Sequence, residues 1–166
     1  MRQLLFLFLL VWAAPAVAED PRTLLWPDLL PEGEMERLEQ LWAEAQAELE
    51  AGIRRYDEPI QFGTFNVVES LDGVQVRVPG YVLPFQYRSS GKISEFLLVP
   101  YFGACIHSPP PPPNQMVYVK ASEPVDFGEV WAPVWVIGIM HTQKKLNELG
   151  DAAYTLELQR WEKYDG

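Results

Sequence analysis

The stretch Val74-Gln-Val-Arg-Val-Pro-Gly-Tyr-Val-Leu-Pro-Phe85 decides the fold class. Val74, Val76 and Val78 alternate with Gln75 and Arg77, which is the period of a strand with one face in a core and one in water. Pro79-Gly80 interrupts the pattern, because proline donates no N–H to a ladder and glycine weakens a strand interior. Tyr81, Val82, Leu83 and Phe85 then resume it. A bulge or kink is expected at Pro79-Gly80.

Strand signals continue on both sides. Phe62, Thr64, Phe65, Val67 and Val68 form a β-rich run that ends at Leu71-Asp72-Gly73. Ser89-Ser90-Gly91 is a turn, and residues 96–99 are a continuous apolar run that suits a central strand. Residues 116–119, 134–140 and 154–161 read as further strands, the last with Tyr154, Leu156 and Leu158 on one side. Residues 143–149 read as one short helical piece stopped by Gly150. About six short strands separated by turn signals point to a mainly β (α+β) fold, a small barrel or OB-like sheet.

Upstream the period changes to that of a helix. Between residues 34 and 51, Met35, Leu38, Leu41, Trp42, Ala45 and Leu49 recur at helical spacing, while Glu34, Glu36, Glu39, Glu44, Glu48 and Glu50 occupy the rest of the wheel. Acidic residues in the first turn and Gly52 after the last suit the ends. The expectation is an amphipathic helix across the β body, with its stripe in the core and its glutamates solvated. Residues 19–31 hold Pro21, Pro27 and Pro31 and read as an extended lead-in whose Trp26, Leu29 and Leu30 dock on the body.

The first residues look like an address. Arg2 is the only charge before an apolar run from Leu4 to Trp12, followed by Pro15 and Ala16-Val17-Ala18. This is a signal-peptide pattern with cleavage expected after Ala18. The run is shorter than the ~20 residues a membrane span needs, and no later run is long enough. The expected organisation is a signal peptide at 1–18, lead-in and helix at 19–58, and a β domain at 59–166, the last two forming one unit. The expected location is the periplasm, with no transmembrane segment after cleavage.

Composition narrows the function. The chain has 166 residues, 13 Lys+Arg against 23 Asp+Glu, and a net charge of −10. That balance lacks the basic footprint of a nucleic-acid binder. A single cysteine rules out an internal disulfide and a Cys-rich zinc site. There is no phosphate-binding glycine loop, haem-attachment motif, HExxH or GxSxG. The favoured reading is a non-enzymatic protein, with a thiol-dependent enzyme left open.

The unusual segment is the loop from Cys105 to Gln115. Cys105 and His107 are followed at once by Pro109, Pro110, Pro111, Pro112 and Pro113, then Asn114 and Gln115. Five prolines fix φ, donate no backbone N–H and run as polyproline II without sheet pairing. The amides of Asn114 and Gln115 can return hydrogen bonds, and the prolines suit packing on aromatic rings. Trp131, Trp135, Tyr81, Tyr87, Tyr101, Phe102 and Tyr118 supply rings, some for the core and one or two for a groove. Cys105 and His107 project to one face if the stretch is extended. Three readings stay open for the pair. One is a packed thiol beside a bonded imidazole. Another is a partial zinc or copper(I) site, completed by His141, Glu95 or Asp126. The third is a reactive thiol in a thiol-dependent enzyme.

Residues 72–84, 95–107 and 109–115 together resemble an uncharacterised bacterial exported family, a domain of unknown function with a GACIHxPPPPPNQ core. The likeness runs from about Gln61 to Trp161 and takes in Gly138, Gly150 and Tyr154. The resemblance implies a periplasmic or lipoprotein accessory protein, sometimes encoded near envelope ABC-transporter and metal-uptake components. It marks Cys105, His107, the five prolines, Asn114 and Gln115 as the signature positions, and leaves His141 outside them. The expected function is an envelope accessory or binding protein that acts through the loop on a protein partner. The alternative is a zinc or copper(I) carrier using Cys105 and His107.

Overall fold

The structure is a computed structural model that describes residues 20–53, 61–85, 91–104, 110–129 and 131–165. The segment 1–18 lies outside them. Strand β1 is Arg22–Thr23, helix α1 is Glu34–Glu50, and five longer strands follow: β2 Gln75–Pro84, β3 Ile93–Val99, β4 Val117–Val125, β5 Val134–His141 and β6 Tyr154–Lys163. Among the described residues no helix is long and apolar enough to cross a membrane.

The order β2-β3-β4-β6-β5 closes through a β2–β5 pairing into a five-stranded barrel, with β1 added parallel to β2. The arrangement is the small, OB-like barrel that the alternating runs imply. The pair β4–β6 is parallel, and the other barrel pairs are antiparallel.

Pro79-Gly80 does not break β2. Residues 75–80 pair with β5 and residues 81–84 pair with β3, so the dipeptide marks the place where the ladder passes from one neighbour to the other. Closure requires this crossing, and glycine permits it. A Cβ on Gly80 would stand 2.8 Å from Val99 O and 2.8 Å from Leu98 Cγ. The register shifts lie elsewhere, between Ile137 and Gly138 where β5 meets β6 and between Ile93 and Glu95 where β3 meets β4.

Alternate residues fill the barrel. Val76, Val78, Val82, Phe96, Leu98, Val117, Val119, Val136 and Leu156 are buried in one cluster, closed by Leu24, Leu29 and Leu71. Each such side chain contributes ~1.5–3 kcal/mol on leaving water. Leu97 and Val99 face outward into a second cluster with Met116, Tyr118 and Ala152. Burial of β3 on both faces explains its unbroken apolar run.

Two expected elements do not form. Residues 62–68 are not a strand, because their backbone donors go to side chains: Asn66 N donates to Thr64 Oγ1 at 3.1 Å and Val68 N to the Tyr154 hydroxyl at 2.7 Å. Gly63, with φ 128°, also leaves the strand region. Residues 143–149 are not a helix. Lys145 and Ala152 exchange backbone hydrogen bonds at 2.8 and 2.9 Å, while Asp151 Oδ1 and Asn147 Oδ1 accept from the amides of Asn147 and Leu149. Helix α1 forms as expected, but its stripe is not a core face. Ala45 is buried, Leu38, Leu41 and Leu49 are half-buried, and Met35 and Trp42 are exposed.

Tyr154 joins the barrel to its surroundings. Its hydroxyl donates to Leu29 O at 2.8 Å as it accepts from Val68 N, so one phenol holds the lead-in and the 61–71 segment. Burial pushes its pKa up to about 12, and burial followed by the Glu95 hydrogen bond does the same for Tyr118.

Two outcomes are expected. Gly138→Ala would drive a Cβ to within 2.0 Å of Glu157 O, against backbone that cannot give way. Urea denaturation should place the loss at or above the upper end of the ~1–3 kcal/mol usual for overpacking. The raised phenol pKa values favour the neutral form in the fold. Their contribution is fully present below pH ~10 and is lost as pH rises toward about 12. A melting temperature followed by circular dichroism should fall over that window, and Tyr154→Phe should reduce the slope.

Candidate functional site: the proline loop and its groove

The described part of the loop begins at Pro110. Pro112 has φ −50° and ψ 147°, close to polyproline II, and Pro113–Gln115 closes as a 3-10 turn. A run without N–H groups can be held only through its carbonyls and its shape. Pro111 O accepts from Gln61 Nε2 at 2.8 Å, and Pro113 O accepts from Ala153 N at 2.8 Å. Gln61 also grips Asp151 at both ends, donating to its carbonyl at 2.8 Å and accepting from its amide at 2.6 Å. Gly63 lies flat against the run, since a Cβ there would meet Pro112 Cβ at 2.6 Å.

The side-chain amides after the run do not serve it as the sequence implies, although the backbone amides of Gln115 and Met116 donate to Pro112 O at 2.8 Å and Pro113 O at 3.3 Å. Gln115 Nε2 donates to Trp26 O at 2.9 Å and ties the loop to the lead-in. Asn114, fully buried, donates to Glu34 Oε1 at 3.1 Å. Glu34 is therefore not a solvated helix residue. It is 4% exposed, accepts from the Thr64 hydroxyl, and takes the Asn66 amide on Oε2 at 2.8 Å. A buried carboxylate is tolerable when donors surround it, and the first turn of a helix adds a favourable dipole. The glutamate thus fastens the start of α1, the 64–66 segment and Asn114 together. Gln61 and Glu34 are the anchoring positions that the sequence did not reveal. Their only signal was a lone glutamine and one glutamate among six in the helix.

Between α1 and the prolines lies a groove of about 390 Å³. Leu38 and Trp42 form one wall, and Pro110, Pro111 and Pro112 the other. Phe62 meets Trp42 edge-on, with ring centroids 5.5 Å apart, and Tyr101 lies at the mouth. Proline and aromatic side chains line the same groove, and the rings come from the helix as well as from Phe62 and Tyr101. Phe102 and Trp131 are exposed and touch edge-on at 6.0 Å, whereas Trp135 and Tyr118 are buried. Tyr87 lies outside the described residues.

Cys105, His107 and Pro109 also lie outside the described residues. The three additional ligand candidates have separate partners. His141 stands between Asp72 and Glu157, with N–O distances of 3.5 and 3.7 Å. Glu95 bonds the Tyr118 hydroxyl, and Asp126 Oδ1 accepts from Gly128 N at 2.8 Å. Among the described residues no three His, Cys, Asp or Glu side chains gather to hold a metal ion.

The loop's attachment can be tested directly. Gln61→Ala should release the Pro111 and Asp151 bonds together and lower stability by about 2 kcal/mol, the scale of a few lost hydrogen bonds with buried partners. Asn114→Ala should cost at least as much, because it removes a buried donor from the Glu34 carboxylate. Denaturant unfolding gives the totals, and amide exchange at Ala153 should accelerate in Gln61→Ala before global unfolding does.

The model of the family described as "Protein of unknown function (DUF3299)" matches residues 26–163. A crystal structure of a DUF3299 family protein from Pseudomonas aeruginosa PAO1 is similar at a TM-score of 0.66 and 34% identity, over 89% of this chain and 99% of that one. No curated protein matches. The chain belongs to the DUF3299 family.

Proposed function

We propose that the protein is a non-enzymatic accessory protein of the bacterial envelope, exported to the periplasm by cleavage after Ala18, that binds a protein partner through the proline loop. The observation that carries this reading is the combination of a stiffly held proline run and an open apolar groove beside it. Gln61, Gly63 and Ala153 hold the run in place, and the run in turn lines a groove together with Trp42 and Tyr101. A preformed surface loses little entropy on binding, which suits recognition. The partner class implied by the family resemblance is a component of an envelope ABC-transporter system.

The test is crosslinking in intact cells, with a photoreactive residue replacing Met35 and products identified by mass spectrometry. One envelope protein should be captured by the wild type. Yield should fall about tenfold, the scale of one strong contact, when Pro110, Pro111 and Pro112 become Ala. Trp42→Ser serves as a second variant that leaves the run intact. Unchanged capture in folded variants would overturn binding through the loop. Recovery of an uncleaved chain from the cytoplasm would overturn export.

A further inference from the structure

We propose that the groove between α1 and the proline run receives a cationic segment of a protein partner, in which an apolar side chain is followed by arginine or lysine. This rests on the binding reading above and specifies the chemistry of the partner. The groove lining is mostly apolar, and two of its aromatic rings stay half in water. Trp42 is 49% exposed and Tyr101 43% exposed. Rings held half in water at the mouth of a rigid cleft are anchors of the kind that dominate interface energetics.

The rim selects the charge. Glu39 lines the groove itself, and Glu36, Glu44 and Glu50 lie exposed on the same helix, with Arg37 its single basic residue. One carboxylate at the slot, on a helix with six glutamates and one arginine, favours a partner that carries the opposite sign. Arginine fits best. Its planar guanidinium stacks on an indole or phenol face and pairs with a carboxylate at the edge, and Trp42 and Glu39 are one helical turn apart at positions i+3 and i. The same charge disfavours the other occupants. A second copy would bring an identical acidic helix, and an anionic lipid surface would meet a chain of net charge −10.

The experiment uses a randomised peptide pool displayed on phage and selected on the folded protein. Winners are resynthesised and their affinity is measured by fluorescence anisotropy. Enriched peptides should pair an aromatic or aliphatic residue with a nearby Arg or Lys and weaken as salt is raised. Affinity should fall by about tenfold or more in Trp42→Ser. Glu39→Lys, an exposed change that leaves the helix intact, should reduce affinity for the basic peptides and shift selection toward acidic ones. No enrichment, winners without basic residues, or equal binding to Trp42→Ser would overturn the proposal. A dimer in sedimentation that Trp42→Ser abolishes would assign the groove to a second copy, and Trp42-dependent binding to phosphatidylglycerol vesicles would assign it to lipid; either overturns the proposal. Loop-dependent capture in cells together with uncharged winners would overturn the cationic partner while sparing the binding reading. Loss of loop-dependent capture overturns that reading itself.

Discussion

Consecutive prolines bring carbonyl oxygens to a protein and no amide hydrogens, and the surroundings of this loop follow from that imbalance. The run cannot join the barrel as a strand, so the rest of the chain must come to it. A side-chain amide from Gln61 and a backbone amide from Ala153 meet its carbonyls, while Gly63 gives up a side chain to make room. The irregular path of residues 61–68 and the close turn before β6 are consequences of holding the run in place. Asn114 then passes the constraint to Glu34, and through it to the first turn of α1. A helix that contributes little to the core is thereby fixed beside the prolines at one end, and the groove is the space between them.

The barrel supplies the rigidity against which this works. Its closure depends on β2 serving two neighbours in succession, with Gly80 at the crossing and Gly138 at the register shift between β5 and β6. Tyr154, at the start of β6, then ties down the chain before α1 and the chain after it with one hydroxyl. On the far side, Arg77 stacks on Trp135 at 3.7 Å. Asp165 accepts from the Trp135 indole at 3.0 Å, and that bond, aided by Arg77, holds its carboxyl below the usual range. The two ends of the described chain are therefore both pinned to the outside of one barrel.

The fold was largely legible where a residue's environment repeats along an element. Alternating valines, the β3 run and the helical stripe all announced their elements, because burial of one face imposes a period on the sequence. Reading failed where side chains compete for backbone partners. Thr64 and Asn66 look like members of a strand, and Asn147 looks compatible with a helix, yet their hydrogen bonds, Asn147's with Asp151 included, dissolve the regular ladder. The proline loop was conspicuous from composition, but its groove was not. The walls come from Leu38, Trp42, Phe62, Tyr101 and the prolines, which are far apart in the chain and share no period.

The sequence by itself determined the β class, the helix boundaries, the acidic character and the stiffness of the proline run. These are local properties, set by backbone covalent geometry and by the spacing of apolar residues. Only the tertiary structure decided that Pro79-Gly80 is a crossing and not a break, that one glutamate of six is buried, and that Met35 and Trp42 of the helix stripe stay in water. Each depends on which distant backbone or amide arrives beside it, and long-range pairing is set by closure of the barrel, which no local pattern encodes.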